Sequence, residues 1–168
     1  MVTSQSNHNR IMKINIIAVG KIKEQYLKDA IDEYKKRLSK FCNLSIIEVD
    51  ECVAKVENDS NIKKSIEEES KEIISKIKNE YVIALDIEGK EFTTLELQKK
   101  FNDIKLNGAS EISFIIGGSY GLSDTVKKRA DLRLSFSKLT FPHQLFRVIL
   151  MEQIYRVFKI ESNEPYHK

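Results

Sequence analysis

Over residues 142–158 the chain carries more apolar side chains than one helical face can hold: Leu145, Phe146, Val148, Ile149, Leu150, Met151, Ile154, Tyr155 and Phe158. A surface helix shows a single apolar stripe, so water on one side would wet several of these residues. Cover is needed on more than one side, which predicts a core face and a subunit interface. Pro142 has a fixed φ and no NH to satisfy, which suits a first helical turn, and Thr140 stands just upstream as a candidate cap. His143, Gln144, Arg147, Glu152, Gln153 and Arg156 are set into the same surface. Half-buried polar groups are paired or meet a ligand. These six therefore either knit the helix to its neighbours, as Glu152 can with Arg156 one turn on, or line a site.

Upstream, short β-branched runs alternate with helical periods. Residues 13–19 read as a strand ended by Gly20, and Tyr26, Leu27, Ala30, Ile31, Tyr34, Leu38 and Phe41 recur at helical steps over 24–41. A second strand follows at 44–49, then a polar stretch at 50–61 that reads as an exposed loop. Ile62, Ile66, Ile73, Ile74 and Ile77 form one stripe in a Lys- and Glu-rich helix, whose charges are a solvated face. Residues 81–85 are a third strand running into a turn at 86–90. Thr93 and Glu96 have capping-box spacing ahead of Leu97, Phe101 and Ile104, and Asn107-Gly108 stops that helix. A fourth strand at 111–116 leads to Gly117-Gly118-Ser119-Tyr120-Gly121. Ser123 is placed to cap a short helix, and residues 131–136 are a fifth strand. Strands separated by helices predict an α/β domain with a mostly parallel sheet of about five strands, because parallel neighbours need long crossovers.

A chain of 168 residues is long enough for one domain with a real core. We read 12–168 as that single domain and the polar residues 1–11 as a disordered extension, not a secretory leader. No apolar run approaches the ~20 residues a bilayer span needs, so no membrane partner is expected. Cys42 and Cys52 lack partners at metal-ligand spacing and His8, His143 and His167 are scattered, so no metal is expected. Two reduced thiols suit the cytoplasm. From Thr125 onward nine Lys or Arg face four Asp or Glu, leaving +5 there although the whole chain carries +3. That bias suits an anionic partner, or simply a solvated helix end at Lys127-Lys128-Arg129.

In an open parallel sheet the ligand crevice lies beyond the carboxyl ends of the strands. Three loops leave the sheet there, at 86–90, 117–123 and 137–141, and are expected to converge. Gly117, Gly118 and Gly121 either let backbone approach a ligand or satisfy a tight turn. Their spacing is not the dinucleotide fingerprint, which would also follow the first strand, where Gly20 stands alone. No Walker pattern occurs. A nicotinamide enzyme and an NTPase are both disfavoured.

The motifs Leu85-Asp86 with Gly89, Ile115-Ile116-Gly117-Gly118 with Gly121-Leu122, Leu139-Thr140 with Pro142-His143, Leu145 and Arg147-Val148, Glu152-Gln153 with Tyr155-Arg156, and Asn163 with Pro165-Tyr166-His167-Lys168 together resemble the ribosomal RNA large subunit methyltransferase H family. The resemblance runs from Met12 to the end. It implies a SPOUT-class fold with a C-terminal trefoil knot, a homodimer, and S-adenosylmethionine as cofactor. The implied reaction methylates N3 of a pseudouridine in the helix 69 loop of 23S ribosomal RNA on the assembled 70S ribosome. Leu85, Gly117, Phe136, Ser137, Lys138, Leu139, Thr140 and Phe141 match the cofactor loops, and Tyr166, His167 and Lys168 match the tail associated with the target base. Glu164 and Lys168 depart from the usual tail, where His and Arg are common. Lys keeps a phosphate-directed charge but not a bidentate fork.

For that chemistry His167 is the expected proton handler, Lys168 and Arg147 the electrostatic stabilisers, and Tyr166 a stacking surface for a flipped base. His143 is expected to support the cofactor loop. A non-catalytic ribosome-binding factor on the same fold is the competing reading, and cofactor affinity separates the two.

Overall fold

The computed structural model describes residues 11–168. The expected extension thus lies outside the described residues except for Ile11. Ten elements follow in order: β1 (Met12–Val19), α1 (Gln25–Leu38), β2 (Cys42–Val49), α2 (Asp59–Ser75), β3 (Tyr81–Glu91), α3 (Thr94–Leu106), β4 (Glu111–Ile116), α4 (Asp124–Arg129), β5 (Leu132–Ser135) and α5 (His143–Glu161). The five strands form one sheet in the order β2-β1-β4-β3-β5, and every pairing is parallel. All five strands therefore release their chain at the same edge.

Period-two alternation sorts the two faces. Ile14, Ile16 and Ala18 of β1 join Phe114, Ile116 and Ile83 in a core closed by α1, α3 and α5. Ile17 and Val19 point the other way, to Ile73 of α2 and Val126 of α4. Burying one such side chain contributes about 1.5–3 kcal/mol, so the two layers hold the sheet from both sides. Cys42 lies in the larger core, where burial pushes its thiol up to about 12, and both cysteines are free.

The all-round apolar character of α5 has an internal explanation. α5 lies between α1 and α3 as well as on the sheet. Phe158 stacks on Phe41 at 5.9 Å and meets Phe101 edge-on at 6.3 Å, and Tyr155 packs edge-on against Tyr34, Phe41 and Tyr166. Tyr155 is 9% exposed, so it belongs to the core and not to an outer face. What remains outside is a patch at the start of the helix, where Leu139, Phe141 and Leu145 are 72%, 36% and 39% exposed.

Three local expectations are corrected. Residues 86–90 are not a free turn but a bulge within β3: Leu134 of β5 pairs with Leu85 and again with Lys90. Asp86 Oδ1 accepts from the Glu88 NH at 3.1 Å, and a Cβ on Gly89 would lie 2.6 Å from the Arg133 carbonyl oxygen. The polar residues signal a turn, but β5 recaptures the strand beyond it. α2 starts at Asp59, inside the expected loop, because Asn58 caps it by accepting from the Asn61 NH at 2.9 Å. Thr140 does not cap α5. Pro142 occupies the cap position, with no side-chain cap bond, and its carbonyl accepts from Phe146 NH at 2.9 Å. The capping box of Thr93 with Glu96 and the Ser123 cap on Val126 NH form as the sequence predicts.

Candidate active site

The three predicted loops do converge. Beside the bulge within β3 and beyond the carboxyl ends of β4 and β5 they enclose a cavity of about 380 Å³, lined among others by Leu85, Asp86, Glu88, Gly117, Gly118, Gly121, Phe136, Ser137, Leu139, Thr140, Phe141, His143 and Phe146. Each wall has its own cause. Asp86 is fixed by Arg133 Nε at 2.9 Å and by Lys127 Nζ at 3.8 Å, with its side chain only 6% exposed, and this holds the 85–88 backbone in place.

The glycine turn is tightly built. Gly121 NH donates to the Gly118 carbonyl at 3.1 Å, and Gly121 has φ +81, a conformation that favours glycine. A Cβ on Gly117 would sit 3.0 Å from the Gly121 backbone, and one on Gly118 would sit 2.9 Å from Val19 Cγ1. Both positions need glycine for packing within the protein, and the same lack of side chains leaves backbone facing the cavity.

On the third side the 137–141 loop folds on itself: Ser135 Oγ donates to the Ser137 carbonyl and Ser137 Oγ accepts from Leu139 NH, both at 3.0 Å. Phe136 and Phe141 pack on Phe146 at 5.0 and 5.8 Å between ring centroids. Rings, leucines and exposed backbone together suit a flat heterocycle with a polar edge, held mainly by backbone. The donor set fits an adenosyl group. Among the described residues no cluster of three or more His, Cys, Asp or Glu could hold a metal ion.

Seven of the eight predicted cofactor residues line this cavity; Lys138 does not. Arg147 does not line it either. Its side chain is 2% exposed, donating from Nη1 to Glu48 at 2.9 Å and from Nη2 to the Gly20 carbonyl at 3.1 Å. Buried arginine bonded in this way ties α5 to the ends of β1 and β2, so we assign it to the scaffold and not to charge stabilisation. Its Nε has no hydrogen-bond partner among the described residues.

Tyr166 and His167 form a separate cluster on α5. Tyr166 OH donates to Glu152 Oε1 at 3.2 Å, the Arg156 guanidinium lies 4.7 Å from the centre of the Tyr166 ring, and Arg156 Nη1 is 3.4 Å from His167 Nδ1. Arg156 also grips Glu152 at 2.6 Å, which raises the guanidinium pKa further. Lys168 is exposed.

Sequence reasoning missed Glu51, just after β2. It accepts from Ser119 Oγ at 2.7 Å and Ser119 NH at 3.3 Å. The Ser119 hydroxyl holds its carboxyl below the usual carboxylate range. No local signal could have found it, since 68 residues separate the partners.

Residues 12–167 match the family model SPOUT_MTase, described as a predicted SPOUT methyltransferase. A Clostridioides difficile (strain 630) protein named ribosomal RNA large subunit methyltransferase H is 57% identical over 160 residues, covering 94% of this chain and 100% of its own length. A Methanococcus maripaludis (strain C5) protein named putative ribosomal RNA large subunit methyltransferase H is 54% identical over 159 residues, with the same coverage of both chains. The solved structure of a probable methylase family protein from Haemophilus influenzae Rd KW20 shares the fold, with a TM-score of 0.55 at 12% identity over 94% of this chain and 71% of that one. On a match that spans the whole sheet and its cavity, this chain belongs to the SPOUT methyltransferases, in the ribosomal RNA large subunit methyltransferase H family.

Proposed function

We propose that this enzyme transfers a methyl group from S-adenosylmethionine to N3 of a pseudouridine in the helix 69 loop of 23S ribosomal RNA, acting in the cytoplasm on the assembled 70S ribosome as a homodimer. The single observation that carries the reading is the cavity where the three loops meet, walled by aromatic rings and glycine backbone, in a chain more than half identical to proteins named as ribosomal RNA large subunit methyltransferases.

S-adenosylmethionine supplies an electrophilic methyl group, so the protein's work is to align donor and nucleophile and to exclude water. Phe136, Phe141 and Phe146 exclude water on one side, and the glycine turn fixes the other. The N3 proton must leave. Where Arg156 donates to His167 Nδ1, the ring carries its hydrogen on Nε2 and orients the base through a hydrogen bond to an imide oxygen. When that contact opens, Nδ1 takes the hydrogen and Nε2 accepts the N3 proton. Lys168 adds positive charge nearby, and the Tyr166 ring offers a stacking face for the extruded base.

Two features support the homodimer. Phe146 at the cavity stands six and ten residues before Glu152 and Arg156 of the tail cluster, about 9 and 15 Å along the helix axis. A partner that brings its tail cluster to this cavity closes that gap, and Leu139, Phe141 and Leu145 are the apolar rim it would cover. The trefoil knot belongs to the same proposal. It is supported by β5 lying at the sheet edge, after which the chain turns back through the cavity loop and enters α5 between α1 and α3.

The test is transfer of labelled methyl to 70S ribosomes, free 23S RNA and ribosomes lacking the pseudouridine. Label confined to the pseudouridine-containing ribosomes is expected. Cofactor binding without label on any of these substrates would overturn the reading and move the transfer to another RNA, and failure to bind the cofactor would favour the binding factor.

A further inference from the structure

The turn from Gly117 to Gly121 has only two side chains, and both are held from outside by one segment. Ser119 is bonded to Glu51 through its hydroxyl and its NH, while Tyr120 OH donates to Glu57 Oε1 at 3.2 Å. Glu51 and Glu57 both belong to the loop between β2 and α2, which does not itself line the cavity. The Glu51 carboxylate also lies over the turn's backbone: a Cβ on Gly118 would be 3.3 Å from its Oε1. Glycine at 118 therefore makes room for this carboxylate as well as for Val19.

Resting on the cofactor reading above, we infer that Glu51, with Glu57 beside it, is a positioning residue of the methyl-donor cavity, holding the glycine turn in the shape that receives the donor. The chemistry favours this role over a purely local one. Glycine is the residue with the most backbone freedom to lose, and the hydrogen bond inside the turn, from Gly121 NH to the Gly118 carbonyl, leaves Ser119 and Tyr120 to be fixed from outside. A charged acceptor gripping its only polar side chains supplies the restraint, since hydrogen bonds to an ionised group are about twice as strong as neutral ones. Because the restraint acts before the donor binds, it lowers the ordering cost of binding and leaves the transfer step alone.

The discriminating measurement is a binding isotherm for S-adenosylmethionine, alongside transfer to 70S ribosomes at saturating donor. Glu51→Ala is expected to weaken binding about fivefold, corresponding to the net worth of one lost hydrogen bond or slightly more, with kcat at saturation within about twofold of wild type. Glu51→Gln keeps an acceptor for Ser119 and is expected to recover most of the loss. Ser119 is exposed, so Ser119→Ala tests the same contact without risk to folding; it is expected to weaken binding about threefold. Adding Glu51→Ala to Ser119→Ala should then cost less than the two changes made separately. If wild type binds the donor and both alanine variants match it, the inference falls while the cofactor reading stands. A loss confined to kcat would also overturn it. If wild type binds no S-adenosylmethionine, the cofactor reading falls first and this inference with it.

Discussion

The two edges of the one sheet are both polar, yet they treat their polar groups in opposite ways. At the amino edge Asn15 donates to Glu111 at 2.7 Å and to Ser113 at 3.1 Å, and Ser113 donates on to Glu80 at 2.8 Å. Glu80 in turn sits beside Arg129, whose Nη2 donates to the Lys78 carbonyl. Side chains there are used up by one another. At the carboxyl edge side chains such as Glu51 and Asp86 are spent on holding loops, and what faces the cavity is backbone and aromatic ring together with Glu88, Thr140 and His143. A parallel sheet aims all its strand ends the same way, so loops that can be shaped for a ligand gather at one edge while the other is free to be stapled shut. Polarity alone does not mark a site; polarity left over after internal pairing does.

The comparison can be broken first at the tail. Removing Tyr166 to Lys168 is expected to lower methyl transfer by two orders of magnitude or more, consistent with losing both proton handling and base stacking, and to leave donor binding intact by isotherm. Normal methylation by the truncated chain would mean the carboxyl edge works alone. Next in size is Gly118→Val, whose Cβ would press on Val19. It should weaken donor binding at least tenfold, with a stability cost of about 1–3 kcal/mol in denaturant unfolding. Unchanged binding would show that the glycine turn does not receive the donor.

Asn15→Leu at the opposite edge should cost a similar ~1–3 kcal/mol, because it removes the two hydrogen bonds that Asn15 donates to Glu111 and Ser113, while leaving donor affinity and kcat at wild-type values. A change in kcat would tie the two edges together. The smallest effect is a pH dependence. Burial alone would raise the Glu80 carboxyl, but its own NH and that of Lys78, the Ser113 hydroxyl and Arg129 outweigh it and hold the group below its ordinary value. A depressed acid stabilises the fold above its unfolded pKa and loses that contribution as pH falls through the folded one. Unfolding of Glu80→Gln followed from pH 6 to pH 3 should therefore show a shallower fall than wild type; parallel curves would remove Glu80 from the stapled edge.

Of the fold, what repeats locally was legible. Short β-branched and apolar runs marked the strands, with β4 at its observed limits, and cap residues marked the starts of α3 and α4. Parallel strands then placed three loops at one edge. The β3 bulge was not legible, because its cause is a second pairing of Leu134 in a distant strand.

The sequence by itself determined an α/β chain whose glycine turn and 137–141 loop meet in one cavity, and a resemblance that family membership bears out. Only the tertiary structure decided that α1 and α3 cover the flanks of α5, that Arg147 is spent on Glu48 and Gly20, and that Glu51 reaches across to Ser119. The physical reason is common to all three. Periodicity and capping act within a few residues, whereas burial and charge pairing depend on which distant residues the folded chain sets side by side.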